Sequence, residues 1–299
     1  MIEVKGVCKS FDDITALNNL TLNMKEEEVF GLVGTNGAGK STLLRIMTGV
    51  LKADKGEVIV DGKQVFDNPK AKENIFLIPD DPYYFPNSTV SEMMGYYNSV
   101  YRKFDKDKFT YLLENFDLQG NRRISTFSKG MRKQLAILLG ICSNTKYLLC
   151  DETFDGLDPV MRQAAKMLFA KEMDERGLTP ILTSHNLREL EDICDHVGLV
   201  HKGGVLLSRE LSDMKLNIRK VQVVYQNEEE QRKAESHMNI LLHENRGKVH
   251  IYTVRMPEAE LEMCFEHVNT ILLETLPLTL EEIFICETEV VGYDIKNII

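Results

Sequence analysis

The sequence predicts an α/β fold, on three observations. Short apolar runs alternate with helical stretches over most of the chain, the pattern of buried parallel strands joined by helices. A glycine-rich loop stands between the apolar run Val29-Phe30-Gly31-Leu32-Val33 and a stretch of helical spacing at 40–48. Asp61-Gly62 separates two short runs of strand character, the strongest short hairpin signal a sequence offers, which sets an antiparallel pair beside the parallel core.

Each element has a local justification. Gly49 closes the helix at 40–48 as a C-terminal cap, and residues 57–60 and 63–66 flank the hairpin turn. From about 87 to 144 the pattern turns helical: Thr89 and Glu92 form a capping box, 104–115 has helical periodicity, and 130–142 makes a long helix with an apolar face. This stretch reads as an inserted helical subdomain. The alternation resumes with a strand at 147–150, a helix from Pro159 to Arg176 closed by Gly177, a strand at 179–183, a helix at 187–194 and strands at 197–201 and 205–208. A boundary is expected near residue 215, dividing the chain into 1–215 and 216–299. Beyond it, strands at 221–225, 249–254 and 271–273 and charged helices near 228–238 and 258–267 predict a small α+β domain. The run Glu228-Glu229-Glu230 is a solvated first helical turn, favoured there by the helix dipole.

Composition sets outer limits. A chain of 299 residues, 43% hydrophobic and 27% charged, buries a substantial core. Its 46 acidic and 36 basic residues leave a formal net charge of −10, which repels phosphate backbones and anionic lipid and argues against nucleic acid as a partner. Cys8, Cys142, Cys150, Cys194, Cys264 and Cys286 include no CxxC pair and read as core filler in a reducing compartment. His237, His243, His250 and His267 lack regular metal spacing. No apolar run approaches the roughly 18 residues a membrane helix needs, and the N-terminus opens into folded pattern. A cytoplasmic protein with no direct lipid insertion is expected.

Two motifs carry chemistry. Gly34-Thr35-Asn36-Gly37-Ala38-Gly39-Lys40-Ser41, followed by Thr42, fits G-x-x-x-x-G-K-S, in which small residues let successive backbone N–H groups converge on phosphate. Lys40 reaches the β- and γ-phosphates of ATP, Ser41 offers its hydroxyl to Mg²⁺, and the following helix turns its positive end to the triphosphate. Tyr147-Leu148-Leu149-Cys150-Asp151-Glu152 is a buried strand ending in two carboxylates, with Asp151 placed to hold Mg²⁺ and Glu152 to activate water.

Between and after these lie Phe127-Ser128-Lys129-Gly130-Met131, Gly156-Leu157-Asp158-Pro159 and Ser184-His185-Asn186. In this order and spacing, over residues 1–215, the chain resembles the nucleotide-binding subunits of ABC transporters, and its signature is similar to that of bacterial ABC-2-type exporter ATPases that move peptides and hydrophobic drugs. Leu278-Thr279-Leu280-Glu281-Glu282-Ile283-Phe284 resembles their C-terminal extension.

The resemblance implies a P-loop core of ABC type, with an antiparallel β subdomain, an inserted helical subdomain and a C-terminal accessory domain. It also implies that Ser128 and Gly130 bind a γ-phosphate held by another subunit, in a head-to-tail dimer of two copies or of this chain with a paralogous ATPase. A helix N-terminus suits that task, and an ordinary N-cap role for Ser128 is chemically the same act. His185 is implied to contact the γ-phosphate opposite Glu152, Asp158 to serve both the nucleotide and the cap of the helix that Pro159 begins, and Phe11 to stack on adenine.

Departures from the family pattern stand out. Asp80, in Ile78-Pro79-Asp80-Asp81-Pro82, occupies the place of a glutamine that touches Mg²⁺ and the attacking water, which makes it a hard metal ligand without an amide donor. Lys129 replaces a glycine and Met131 a glutamine of the common signature. Tyr83-Tyr84-Phe85-Pro86 is expected to line the groove that receives a coupling helix of the membrane subunit, with packing against the inserted helices as the rival.

The sequence thus points to an ATP-hydrolysing subunit of an exporter, peripheral on the cytoplasmic face through its transmembrane partner. The rivals are a non-transport ATPase that remodels ribosomes or DNA, against which stand the single Lys40 loop and the acidic balance, and a regulatory protein switched by nucleotide.

Overall fold

The computed structural model describes residues 1–213 and 218–290. The chain forms two compact units, Met1–Ser208 and Arg209–Ile299. The boundary expected near residue 215 falls in 214–217, outside the described residues.

The first unit opens with β1 (Ile2–Phe11) and β2 (Ile14–Met24), an antiparallel pair that continues into β4 (Lys55–Val60) and β5 (Lys63–Gln64) in the order β2-β1-β4-β5. Asp61 and Gly62 both have positive φ, 49° and 74°, the backbone of a two-residue turn matched to strand twist. The expected strand at 63–66 is shorter and stops at Gln64.

The second sheet follows the order β10-β9-β3-β8-β7-β6. Its strands β3 (Phe30–Val33), β6 (Ile75–Ile78), β7 (Tyr147–Asp151), β8 (Thr179–Ser184) and β9 (His196–His201) pair in parallel, and β10 (Gly204–Glu210) lies at one edge. Every residue of β3, β7 and β8 is buried, as strands covered on both faces must be. Helix α1 (Lys40–Met47) buries Leu43, Leu44, Ile46 and Met47 in one core with Leu17, Phe30, Tyr147 and Ile181. A Leu→Ala change in such a core costs about 2–5 kcal/mol.

Helix α2 (Pro69–Lys72) precedes β6. The helical stretch holds α3 (Val90–Val100), α4 (Lys106–Asn115), a 3₁₀ turn at Ile124–Thr126 and α5 (Lys129–Cys142). Thr89 and Glu92 make the expected capping box on α3. Helix α4 begins two residues later than the periodicity suggests, because the Asp105 side chain accepts the Lys108 N–H as N-cap. Helix α6 (Pro159–Arg176) has Asp158 as N-cap, Pro159 in its first turn and left-handed Gly177 at its end. Helix α7 (Leu187–Glu191) is shorter than the expected 187–194.

The second unit is built from β11 (Ile218–Tyr225), a helix Glu228–Glu235, β12 (Ile240–Arg246), β13 (Val249–Arg255), a helix Glu258–Phe265, β14 (Thr270–Leu276) and a final helix Leu280–Val290. The β-α-β-β-α-β succession closes an antiparallel sheet of order β12-β13-β11-β14. Its core joins Val221, Val223, Tyr252 and Val254 to Ala234, Leu261 and Phe265 of the two helices. Strand β12 has no counterpart in the sequence reading. Thr279 caps the final helix, accepting the Glu282 N–H at 3.2 Å while Glu282 accepts the Thr279 N–H at 3.0 Å. None of the six cysteines forms a disulfide, and Cys142, Cys150, Cys194 and Cys286 are buried.

Candidate functional site

The turn from β3 into α1 is held tight by two of its glycines. Gly34 packs so closely against β9 that a Cβ would stand 2.3 Å from the Val200 carbonyl oxygen, and Gly39, at φ 105°, would meet the Ala16 carbonyl oxygen at 2.4 Å. No side chain fits at either position, which keeps the loop tight and its N–H groups unobstructed.

One cleft of about 570 Å³ is lined by Asn36, Gly37, Ala38, Gly39, Lys40, Ser41, Thr42, Asp80, Glu152 and His185, together with Ile14, Ala16 and Asp155. Ten residues singled out from separate stretches of sequence therefore share a single wall. The buried Lys40 donates to the carbonyls of Gly34 at 2.6 Å and Thr35 at 3.3 Å, and its Nζ lies 3.3 Å from Glu152 Oε1. The other oxygen, Glu152 Oε2, accepts from His185 Nδ1 at 2.8 Å and from the His185 backbone N–H at 3.3 Å. Since a carboxylate only accepts, Nδ1 carries the hydrogen.

Glu152 is held in the left-handed region, φ 47°, a costly backbone for a side-chain-bearing residue. Thr183 of β8 supports it by accepting the Glu152 N–H at 3.0 Å and donating to Asp151 Oδ1 at 2.8 Å. Asp151 is buried, is not among the residues lining the cleft, and is fixed by that hydroxyl. Ser41 and Asp151 offer the hard oxygen donors that suit a magnesium ion.

Asp80 lines the cleft, and one of its carboxylate oxygens is held by Lys133, whose Nζ donates to Asp80 Oδ1 at 2.9 Å and to the Glu152 carbonyl at 2.6 Å. Lys133 is 0% exposed. Sequence reasoning missed it, although a lysine inside the apolar face of the helix at 130–142 was the available signal.

Ser128, Gly130 and Asp158 are not part of the cleft wall. Ser128 caps α5 by accepting the Met131 N–H at 3.2 Å, and Asp158 caps α6 by accepting from Met161 N–H at 2.9 Å. Lys129 pairs with Asp155 at 3.3 Å, so the extra charge of this signature meets a carboxylate. Against the upward push of burial, that hydrogen bond holds the Asp155 carboxyl below its ordinary value. Phe11 is 43% exposed, with Lys9 Nζ 5.4 Å from its ring centre, and pairs across the turn with Ile14. Ile14, not Phe11, lines the cleft.

The aromatic loop divides. Tyr84 is buried, its hydroxyl donating to the Arg132 carbonyl at 2.6 Å, while Tyr83 is 71% exposed and Phe85 packs edge-on against Tyr96, both partly bare to solvent. No helix among the described residues is long and apolar enough to cross a membrane.

Comparison with known proteins agrees with this geometry. The family model described as ABC transporter matches residues 17–155. ABC transporter ATP-binding protein YtrB of Bacillus subtilis is 28% identical over 96% of this chain and 98% of its own. The uncharacterized ABC transporter ATP-binding protein YdbJ of the same organism is 30% identical over 69% of this chain and 68% of its own. Bacitracin transport ATP-binding protein BcrA of Bacillus licheniformis is 29% identical over 74% and 73%. The solved structure of an ATP binding subunit of an ABC transporter superposes with a TM-score of 0.66 at 25% identity, covering 72% of this chain and 92% of that one. Fold, nucleotide cleft and relatives together establish that this chain belongs to the ATP-binding proteins of ABC transporters, a family of ATPases.

Proposed function

We propose that two copies of this chain, or this chain and a paralogous ATPase, close head to tail around two ATP molecules and drive separate transmembrane subunits to export peptides or hydrophobic compounds. The observation that carries the proposal is Glu152, whose two carboxylate oxygens face Lys40 and His185 across one cleft. The bacitracin transport relative supports export.

In this reading the loop 34–41 and Lys40 bind the phosphates. Magnesium, held by Ser41 and Asp151, neutralises phosphate charge when bound. Lys40 leaves Glu152 for the γ-phosphate, and Glu152 then accepts a proton from the attacking water while His185 holds its carboxylate in place. Asp80 would offer the metal's surroundings the carboxylate oxygen that Lys133 leaves unbonded. Ser128 and Gly130 stand outside their own chain's cleft, so a second subunit must bring its signature to complete the site, with α5 offering its N-terminus to the γ-phosphate. Tyr83 and Phe85 form part of the face offered to the membrane subunit.

Glu152→Gln tests the chemistry. Hydrolysis falls about 10²- to 10⁴-fold while ATP stays bound and the dimer accumulates. Turnover at the wild-type rate removes Glu152 from the mechanism. Capture from detergent-solubilised membranes tests the partner: a transmembrane protein is expected, and ribosomal RNA in its place would move the chain to a non-transport role.

A further inference from the structure

The two edges of the C-terminal sheet differ. β12, at one edge, carries His243, Glu244 and Arg246, while each edge strand has one register shift, between Ile240 and Leu242 in β12 and at Ile271 in β14. Charges of this kind keep a sheet edge from pairing. β14, at the other edge, reads Thr-Ile-Leu-Leu-Glu-Thr-Leu, with no lysine and no proline. Ile271 is 69%, Leu272 40% and Leu273 45% exposed. These side chains belong to both faces of the sheet: Leu273 lies opposite Val223, in the core beneath the two helices, and Leu272 lies opposite Val224 on the other face. An apolar strand whose outer backbone edge pairs with no other strand among the described residues is a template for another strand.

We propose that β14 pairs with β14 of a second copy of this chain, antiparallel and centred on Leu273, so that two C-terminal units form one eight-stranded sheet. The occupant is a second copy because the strand complements itself. Side chains alternate between faces, so a two-fold axis through a continuous sheet must fall on a residue. Centred on Leu273, the register falls within the regular ladder Leu272–Leu276, with the shift at Ile271 just outside its centre. It sets Leu273 against Leu273 and Leu272 against Glu274, and no two charges face each other. Centring on Glu274 would oppose two carboxylates, which is unfavourable.

Glu274 is also the single charge on the strand, and within its own chain it already accepts from Gln222 Nε2 at 2.6 Å. A charged partner therefore finds little to recognise here, whereas an identical apolar edge finds its match. The pairing uses both bare edges and leaves the blunted β12 strands outside, so association stops at two. It needs no nucleotide and no residue of the cleft, and so goes beyond the proposed head-to-tail closure.

Sedimentation velocity on the full-length chain without nucleotide, at roughly 10 μM, is expected to show a dimer. Leu273→Lys sets two ammonium groups opposite each other and is expected to raise the dissociation constant about tenfold or more. Ile271→Lys, at a more exposed position, is expected to act in the same direction without disturbing the fold. Leu273→Cys under mild oxidation is expected to give a cross-linked dimer in which peptide mapping joins position 273 to position 273. A wild-type chain that is monomeric without nucleotide overturns the proposal, as does a dimer indifferent to both lysine variants and not trapped at 273. Glu152→Gln combined with Leu273→Lys separates the two readings, because head-to-tail closure predicts an ATP-dependent dimer in that variant whichever way the edge test falls.

Discussion

Lys133 Nζ lies 2.9 Å from Asp80 Oδ1, and the same ammonium donates to the carbonyl of Glu152 at 2.6 Å. One buried cation on α5 thus joins the helical subdomain to both acidic walls of the nucleotide cleft. The two partners are not equivalent, since Lys133 is enclosed and Asp80 is half open to solvent. Asp80→Ala leaves a buried ammonium without its counter-ion and is expected to destabilise by about 3 kcal/mol. Lys133→Met removes the charge itself and is expected to cost about 1 kcal/mol. The double variant should then cost less than the sum. Urea unfolding of the four proteins measures this, and strict additivity would mean that the pair is not coupled.

His185→Ala removes the hydrogen bond that orients Glu152. Hydrolysis is expected to fall about 10²-fold with ATP affinity little changed, because the phosphate cradle is built from the loop 34–41 and Lys40. Steady-state kinetics alongside equilibrium nucleotide binding separates the two effects. A loss confined to binding would assign His185 to the ground state.

Tyr83→Ala is expected to leave the ATPase rate of the isolated chain within about twofold, since the ring is exposed and its substitution is a surface change. Its effect should appear in recovery of the transmembrane partner from membranes. Equal recovery with Tyr83→Ala and Phe85→Ala would place the docking face elsewhere.

Asp61 receives Tyr147 Oη at 2.5 Å, Lys146 Nζ at 3.0 Å and the Met1 ammonium at 3.0 Å. Although burial pushes its carboxyl upward, these donors hold it down at about 2, from an ordinary 3.8. A depressed folded value means that the stabilisation is complete above about pH 5 and is lost as pH falls through 3.8 toward 2. Asp61→Asn is expected to lower stability by about 1–2 kcal/mol at pH 6, and the gap from wild type should narrow by pH 3. Urea midpoints at the two pH values check the sign.

The glycine-rich turn and the acidic end of β7 were legible because their residue types are dictated locally. A backbone at φ 105° against a carbonyl oxygen admits only glycine, and a strand buried on both faces shows its apolar run directly. The register of β1 with β2 slips between Val4 and Val7, between Val7 and Lys9 and between Lys9 and Ser10, which breaks the alternation a reader of sequence depends on. β12 was hidden for a related reason, because its second half is charged at an open edge. Lys133 stood out only as a charge on an apolar helix face; its partners were illegible because they lie 53 and 19 positions away and only the packed sheet places them. Phe11 shows the converse: a plausible aromatic near the loop, but the turn at residues 12–13 delivers Ile14 to the cleft wall.

In the proposed mechanism, the contact between Lys40 and Glu152 makes nucleotide arrival an exchange of anions. The lysine has a carboxylate neighbour at 3.3 Å, so a phosphate would displace it, and the attraction gained would be smaller than a bare ammonium gives. The same displacement frees the proton acceptor at the moment its target appears. In that mechanism the nucleotide itself would uncover the carboxylate that acts on it.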